Sequence, residues 1–166
     1  MMMGFRVFAV LGLCLLLAAT LVCDPAAAQD REVPYWAALR HDKANMRVGP
    51  SQEYPIEWIY RRKGLPVKVV RVREGWRLVQ DIDGTQGWIA ASQLTPDRSV
   101  LVVGDGLADL RAEPSQSAAL RWRAEPGVVA RFKRCREAWC EIDAGGRSGW
   151  VLAERLWGIE PLPGSK

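Results

Sequence analysis

The sequence predicts an all-β protein in which two small β-barrels stand in tandem after an N-terminal signal peptide. Three observations lead to this fold class. An apolar run at the N-terminus has the layout of an export signal, the rest of the chain repeats itself once, and each copy contains short β-branched runs between glycine-rich turns. No stretch after the signal shows a sustained helical period.

The first element is the export signal, which we place at residues 1–28. Arg6 precedes an apolar run at residues 7–23, and Asp24-Pro25 and a short alanine segment follow it. A positive start, an apolar centre and small residues before a polar one are the pattern that signal peptidase recognises, so we expect cleavage near Ala28. Retention as a membrane anchor is the alternative, because the run reaches the lower length limit of a membrane span. We expect a periplasmic or secreted protein whose mature chain has no transmembrane segment.

The second observation is an internal repeat. The segment NMRVGPS at Asn45 returns as DLRAEPS at Asp109, and GWI at Gly87 returns as GWV at Gly149. The matches keep their order at a spacing of about 63 residues, which indicates two copies of one structural unit. We place the two units at residues 35–97 and 98–160.

Each unit reads as a series of short strands. In the first unit, LPVKVVRV, WRLVQDI and GWIAASQL follow one another, with an Asp-Gly hairpin turn before the third. In the second unit, GVVARFKR, WCEID and GWVLAERL repeat the scheme. The connecting segment SVLVV is too apolar for a flexible linker, so we expect it to form a strand. Short runs separated by such turns are typical of a small β-barrel.

The repeated NMRVGPS motif contains one residue pair whose role the sequence predicts. We expect Asn45 and Asp109 to bond local backbone groups in a turn, because short polar side chains favour such bonds. Met46 and Leu110, the next residues, are expected to point into the core of each unit.

Export leaves two cysteines, Cys135 and Cys140, in an oxidising compartment. The segment CREAWC suits a hairpin in which the two cysteines face each other within disulfide distance. A redox dithiol or a metal pair is the alternative. Thiol-exchange sites usually have C-x-x-C spacing, and a zinc site needs four ligands, whereas His41 is the only histidine. We therefore predict a structural disulfide, no metal and no cofactor.

The formal net charge of +4 favours an anionic partner. Export argues against nucleic acid, which leaves wall polymers, lipid head groups and acidic proteins as partners. A solvated basic surface is the alternative, because the arginines are spread along the chain rather than gathered in one block.

The candidate ligand-binding residues lie in the first unit. Tyr54, Trp58 and Tyr60 form an aromatic group in a predicted long loop, and Arg61 and Arg62 follow directly. Loops on a rigid scaffold often carry recognition, and aromatic and arginine side chains dominate binding energy at interfaces. The second unit keeps only one of these aromatic residues, so we expect the first unit to bind the ligand.

Taken together, these motifs resemble the bacterial SH3-like (SH3b) domains, in the tandem exported form found in proteobacteria. The resemblance rests on NMRVGPS, GWRLV and DGTQGWI in the first copy, and on LRAEPS, WCEI, GWV and LWGI in the second. The second copy departs from the pattern with Glu113 in place of Gly49. The resemblance implies two SH3-like barrels and places Trp76 near the rim of the groove that peptide-binding relatives use. Trp76 therefore joins the candidate ligand-binding residues, with packing inside or between the barrels as the alternative.

The resemblance also implies a non-catalytic module that binds cell-wall peptides or proteins. The sequence offers no credible nucleophile and base, since His41 lies before the first barrel. We therefore expect an exported binding protein, not an enzyme, that recognises peptidoglycan peptides or an envelope protein. The alternative is a structural or assembly factor of the cell envelope that binds protein without binding the wall. An exposed apolar patch at Trp36 or Trp157 would favour this alternative.

Overall fold

Residues 31–160 are described by a computed structural model, and the predicted signal peptide lies outside the described residues. These residues form two antiparallel sheets of 7 strands each. The first sheet consists of β1 (Tyr35–Leu39), β2 (Ala44–Arg47), β3 (Ile56–Tyr60), β4 (Pro66–Arg73), β5 (Trp76–Gln80), β6 (Gln86–Ala90) and β7 (Leu94–Thr95). The second sheet consists of β8 (Ser99–Val102), β9 (Ala108–Arg111), β10 (Leu120–Ala124), β11 (Val129–Arg136), β12 (Trp139–Ala144), β13 (Arg147–Leu152) and β14 (Leu156–Trp157). Single 3₁₀ turns, Ala91–Gln93 and Ala153–Arg155, lead into β7 and β14.

The two sheets have the same topology. The strand order is β3-β2-β6-β5-β4-β1-β7 in the first sheet and β10-β9-β13-β12-β11-β8-β14 in the second. Every pairing is antiparallel. The repeat in the sequence is therefore a repeat in the structure, and the predicted all-β fold is confirmed. The predicted strand in SVLVV is β8, the first strand of the second sheet.

Each sheet curls around its own core, and Met46 and Leu110 lie at the centre of the two cores with almost no exposed surface. These two core side chains explain why the Gly-Trp pair recurs in both units. A Cβ atom at Gly87 would lie 2.4 Å from the Cγ atom of Met46, and one at Gly149 would lie 2.7 Å from the Cβ atom of Leu110. Because the core side chain fills this space in both units, glycine is required at both positions.

The prediction for Asn45 and Asp109 was wrong. Both residues lie within strands, β2 and β9, and not in turns. The backbone N–H of Asn45 donates to the Oε1 atom of Gln93, and the carboxylate of Asp109 pairs with Arg111 and Arg123. The flanking core residues hold the backbone extended, and this tertiary packing overrides the local turn preference of Asn and Asp.

The disulfide between Cys135 and Cys140 is present. The two cysteines face each other on β11 and β12, with their Cα atoms 4.0 Å apart. Cys140 is fully buried in the core of the second unit. The short spacing in CREAWC therefore did predict the pairing.

The two units pack against each other. The rings of Trp36 and Trp157 meet edge to face with their centroids 4.9 Å apart. The hydroxyl of Ser99 donates to the carbonyl oxygen of Gly64 at 2.5 Å. A Cβ atom at Gly158 of the second unit would lie 3.0 Å from the Cβ atom of Pro66 in the first. Close contact between the units thus covers Trp36 and Trp157 in part, and these two residues do not form an exposed apolar patch.

Within residues 31–160, no helix is long and apolar enough to cross a membrane. The same residues contain no cluster of three or more His, Cys, Asp or Glu side chains with the arrangement of a metal site.

Candidate functional site

A hollow of about 260 Å³ lies at the junction of the two units. We call it the junction hollow and define it by six of its lining residues: Trp58, Tyr60, Asp81, Asp83, Leu101 and Trp157. Trp58 and Tyr60 come from β3, and Asp81 and Asp83 come from the turn between β5 and β6. Leu101 and Trp157 come from β8 and β14 of the second unit. The hollow therefore exists only when the two units are packed together.

Trp58 lies on a strand, not in the predicted loop. β3 is the edge strand of the first sheet and pairs only with β2. A β-bulge at Glu57 interrupts the alternation of the strand, because Trp58 faces Met46 while Ile56 faces Arg47. This irregular pattern is why the sequence reads as a loop. The side chain of Trp58 is 59% exposed and borders the hollow.

Tyr60 belongs to the core rather than to an exposed aromatic group. It is only 7% exposed, and its hydroxyl donates to the Oδ2 atom of Asp81 at 2.8 Å. Burial, together with the hydrogen bond to Asp81, raises the pKa of Tyr60 well above its usual range. The hydroxyl therefore stays protonated at every physiological pH and fixes the position of Asp81.

Two polar groups of the lining residues lack a partner within residues 31–160, one exposed and one buried. The Oδ1 atom of Asp81 accepts from the backbone N–H groups of Asp83 and Thr85, so this carboxylate is occupied. The exposed carboxylate of Asp83 has no partner within residues 31–160. The indole Nε1 atom of Trp157 is buried and has no acceptor in the same part of the chain. A ligand that supplies a cation would pair with the exposed carboxylate of Asp83.

The other predicted site residues lie outside the hollow. The ring of Tyr54 covers Gly49, and Arg47 donates to the carbonyl oxygen of Tyr54 at 2.5 Å. Arg61 and Arg62 follow β3 directly and are exposed, but they are not among the residues that line the hollow. Trp76 is half-buried at the start of β5, the opposite end of that strand from Asp81.

Sequence reasoning missed Asp83 and Trp157 as site residues. The sequence indicated only that Asp81 and Asp83 belong to a hairpin turn with Asp-Gly, and that Trp157 lies at the end of the repeat. The available signal was that Trp157 matches no tryptophan in the first unit, which indicates a role between the units.

Comparison with known proteins shows the family to which this chain belongs. A sequence profile described as the bacterial SH3 domain matches residues 40–96 and matches again at residues 105–158. The chain belongs to the bacterial SH3 domain family. No curated protein sequence shows significant similarity to it.

The solved structures that are similar to this chain include those of an NlpC protein and of an NlpC/P60 family protein. The NlpC2 protein of Trichomonas vaginalis has a TM-score of 0.34 and 13% identity, and the match covers 77% of this chain and 49% of that chain. An NlpC/P60 family protein of Bacillus cereus has a TM-score of 0.33 and 15% identity, and the match covers 74% of this chain and 55% of that chain. The chain thus spans about half the length of these proteins.

The two SH3 units differ at the end of the barrel that forms the hollow. Ala124 stands where the first unit has Tyr60, and the carboxylate of Asp143 accepts from Ser148 instead of from a tyrosine. Trp122, the counterpart of Trp58, is 44% exposed, and the guanidinium of Arg147 lies 5.3 Å from its ring centroid. Trp58 is therefore the more exposed of the two tryptophans, and it borders the junction hollow.

Proposed function

We propose that this protein is an exported, non-catalytic binding protein with two SH3 domains, at residues 35–97 and 98–160. It recognises a peptide, from peptidoglycan or from an envelope protein, in the junction hollow. The observation that carries this proposal is the exposure of Trp58 at the border of the hollow. Trp58 and the exposed Ile56 and Ile59 form an apolar patch on one edge strand, and such patches are typical of binding contacts.

Covering Trp58 supplies part of the binding energy. A tryptophan side chain buries roughly 150–250 Å² and each Å² of apolar surface removed from water contributes about 25 cal/mol, so covering the open part contributes about 2 kcal/mol. This is a substantial share of the roughly 6–8 kcal/mol that corresponds to a micromolar or weaker complex.

Polar groups around Trp58 fit a peptide. The exposed carboxylate of Asp83 suits an amino group. The side chains of Arg61 and Arg62 have no partner within the described residues, and they supply positive charge beside the strand that carries Trp58. Stem peptides of the cell wall carry amino, carbonyl and carboxylate groups together. They therefore match this combination of groups.

Export is supported by two facts. The Cys135–Cys140 disulfide is formed, and disulfides persist in oxidising compartments. The bacterial SH3 family match is consistent with a protein outside the cytoplasm.

A protein partner without wall binding is the second candidate, and the edge of the first sheet favours it. β3 exposes Ile56 and Ile59 beside Trp58, and it lies at the edge of the sheet with one pairing partner. An extended segment of another protein can add to such an edge through backbone hydrogen bonds.

Sedimentation with purified sacculi tests the wall-binding proposal. We expect the oxidised, exported protein to pellet with sacculi at low salt and at about 0.3 M salt, where charge attraction is largely screened. Trp58→Ala is expected to reduce pelleting by about tenfold, since about 1.4 kcal/mol corresponds to that factor. Trp122→Ala is the matched control, because it removes the same side chain from the equivalent strand of the second unit.

Pelleting that is the same for Trp58→Ala and the unchanged protein would contradict the site. Failure of the protein to pellet at either salt would reject peptidoglycan and favour the protein partner.

A further inference from the structure

A second and larger opening lies between the two units, apart from the junction hollow. It has a volume of about 710 Å³, which is in the size range of small-molecule and short-peptide sites. Gly64 lines this cleft, while the next residue, Leu65, lines the junction hollow. We call it the basic cleft, because its lining contains four cations: Arg40, Lys63, Arg98 and Arg131.

Two of these cations are already engaged. Arg40 donates through Nε and Nη2 to the carbonyl oxygen of Leu94, at 3.0 and 2.8 Å. Arg98 pairs with the carboxylate of Glu160, and its guanidinium lies 4.3 Å from the ring centroid of Phe132. Both side chains are therefore held in place by the protein itself.

The other two cations have no such partner. Lys63, from the turn between β3 and β4, makes no hydrogen bond or ion pair within residues 31–160. The side chain of Arg131, on β11 of the second unit, likewise makes no hydrogen bond or ion pair within residues 31–160, although its positive charge helps to lower the pKa of Asp143. Each unit thus supplies to the lining of the cleft one cation that no hydrogen bond or ion pair within residues 31–160 holds.

The cleft also contains two carboxylates. Asp97 accepts from the hydroxyl of Thr95 at 2.9 Å, and Asp143 accepts from the hydroxyl of Ser148 at 2.6 Å and from the backbone N–H of Gly146. The hydrogen bond from Ser148, followed by that from Gly146, lowers the pKa of Asp143, so its negative charge is kept at neutral pH.

This mixture of charges discriminates between anions. A phosphate dianion would be attracted by the cations but repelled by both aspartates. A peptide that carries several carboxylates and one amino group matches both signs, with carboxylates at Lys63 and Arg131 and the amino group at an aspartate. The glycine turn at Gly145 and Gly146 has open space where side chains would stand, so a peptide backbone can approach closely.

We propose that the basic cleft is a second binding site, for short acidic peptides, whose carboxylates contact Lys63 of the first unit and Arg131 of the second. This site goes beyond the proposed function, because it uses neither Trp58 nor the junction hollow.

Calorimetric titration of the oxidised protein with triglutamate tests this proposal, with trilysine and inorganic phosphate as comparison ligands. We expect triglutamate to bind, and to bind more weakly as salt screens the charges. Lys63→Gln and Arg131→Gln are each expected to weaken binding about tenfold, equivalent to about 1.4 kcal/mol. Arg71→Gln and Arg121→Gln are matched controls, since both remove an exposed positive charge outside the cleft and are expected to change affinity less than about twofold.

Three results would overturn the proposal. They are no binding of triglutamate, an equal loss of affinity in the control variants, or binding of phosphate or trilysine at least as tight as that of triglutamate. Trp58→Ala separates this site from the proposed function, because it is expected to reduce pelleting with sacculi and to leave triglutamate binding unchanged. All four arginine and lysine positions are at the surface, and unchanged tryptophan fluorescence verifies that each variant is folded.

Discussion

At the scale of single residues, the change from Gly49 in the first unit to Glu113 in the second is explained by a second change, from Tyr54 to Ala118. Gly49 in the first unit has no room for a side chain, because a Cβ atom there would lie 2.6 Å from the ring of Tyr54. The second unit has Glu113 and Ala118 at the corresponding positions. Arg47 and Arg111 each donate to the backbone carbonyl at the Tyr54 or Ala118 position, so the loop is held in the same way in both units.

The hydrogen bond between Tyr60 and Asp81 makes stability depend on pH in the alkaline range. Since the pKa of Tyr60 is raised on folding, its protonated form stabilises the fold fully below pH 10, and this contribution is lost as the pH rises above that value. At pH 8 we expect Tyr60→Phe to lower the free energy of unfolding by about 1 kcal/mol. At pH 11 deprotonation of the unfolded wild-type chain lowers wild-type stability by about 1.4 kcal/mol, so the difference should vanish and reverse slightly in favour of Tyr60→Phe.

Urea unfolding of both proteins at pH 8, 10 and 11 measures this change. A difference that stays constant across the three values would contradict a protonated, buried Tyr60.

At the scale of elements, equivalent hairpins are held by different means. In β11–β12 the facing pair is Cys135 and Cys140, and the turn between them holds Glu137 in the left-handed region at φ 51°. In β4–β5 the same facing pair is Val72 and Arg77, and Arg77 donates to the hydroxyl of Tyr35 at 3.0 Å. The disulfide joins the two strands of its own hairpin, whereas this hydrogen bond joins β5 to β1.

Reduction of the disulfide is expected to destabilise the second unit selectively. A loop this short contributes about 2 kcal/mol when it is closed. With a reductant present, we expect backbone amides of β11 and β12 to exchange faster with deuterium, while those of β4 and β5 are unchanged. Equal acceleration in both hairpins would mean that the disulfide stabilises the whole protein, which would contradict this prediction.

At the scale of the whole molecule, the junction between the units forms both candidate sites. The contact of Trp36 with Trp157 and the hydrogen bond from Ser99 to Gly64 set how the two sheets meet. Neither the junction hollow nor the basic cleft is complete in one unit, since each takes lining residues from both.

Trp36→Ala is expected to loosen this junction. An edge-to-face aromatic pair contributes about 0.5–1.5 kcal/mol beyond its buried area, so the second unit should lose support although the substitution is in the first. We expect hydrogen exchange of β8 and β14 to accelerate about tenfold or more. Trp122→Ala, on the exposed edge of the second unit, should leave this exchange unchanged. If Trp36→Ala also left it unchanged, the units would be energetically independent.

Much of the fold was predictable from sequence because it rests on local patterns. Glycine-rich turns and β-branched runs placed the strands, as at LPVKVVRV and WRLVQDI. The repeat predicted the strands of the second unit from those of the first, and the spacing of Cys135 and Cys140 predicted the disulfide. The candidate site was predicted less well. Trp58 and Tyr60 line the hollow as expected, but Tyr60 is buried. The other four expected residues lie outside the hollow: Tyr54, Arg61, Arg62 and Trp76.

By itself the sequence determined the fold class, the duplication, the inward-pointing residues and the cysteine pairing of this protein. The tertiary structure alone decided that Trp58 lies on an edge strand and that Tyr60 bonds Asp81. It also decided that Trp157 closes a hollow against the first unit. The physical reason is distance along the chain. Strand periodicity, turns and hairpin cysteines depend on neighbouring residues, whereas burial of a given face and the shape of a junction depend on residues brought together by packing.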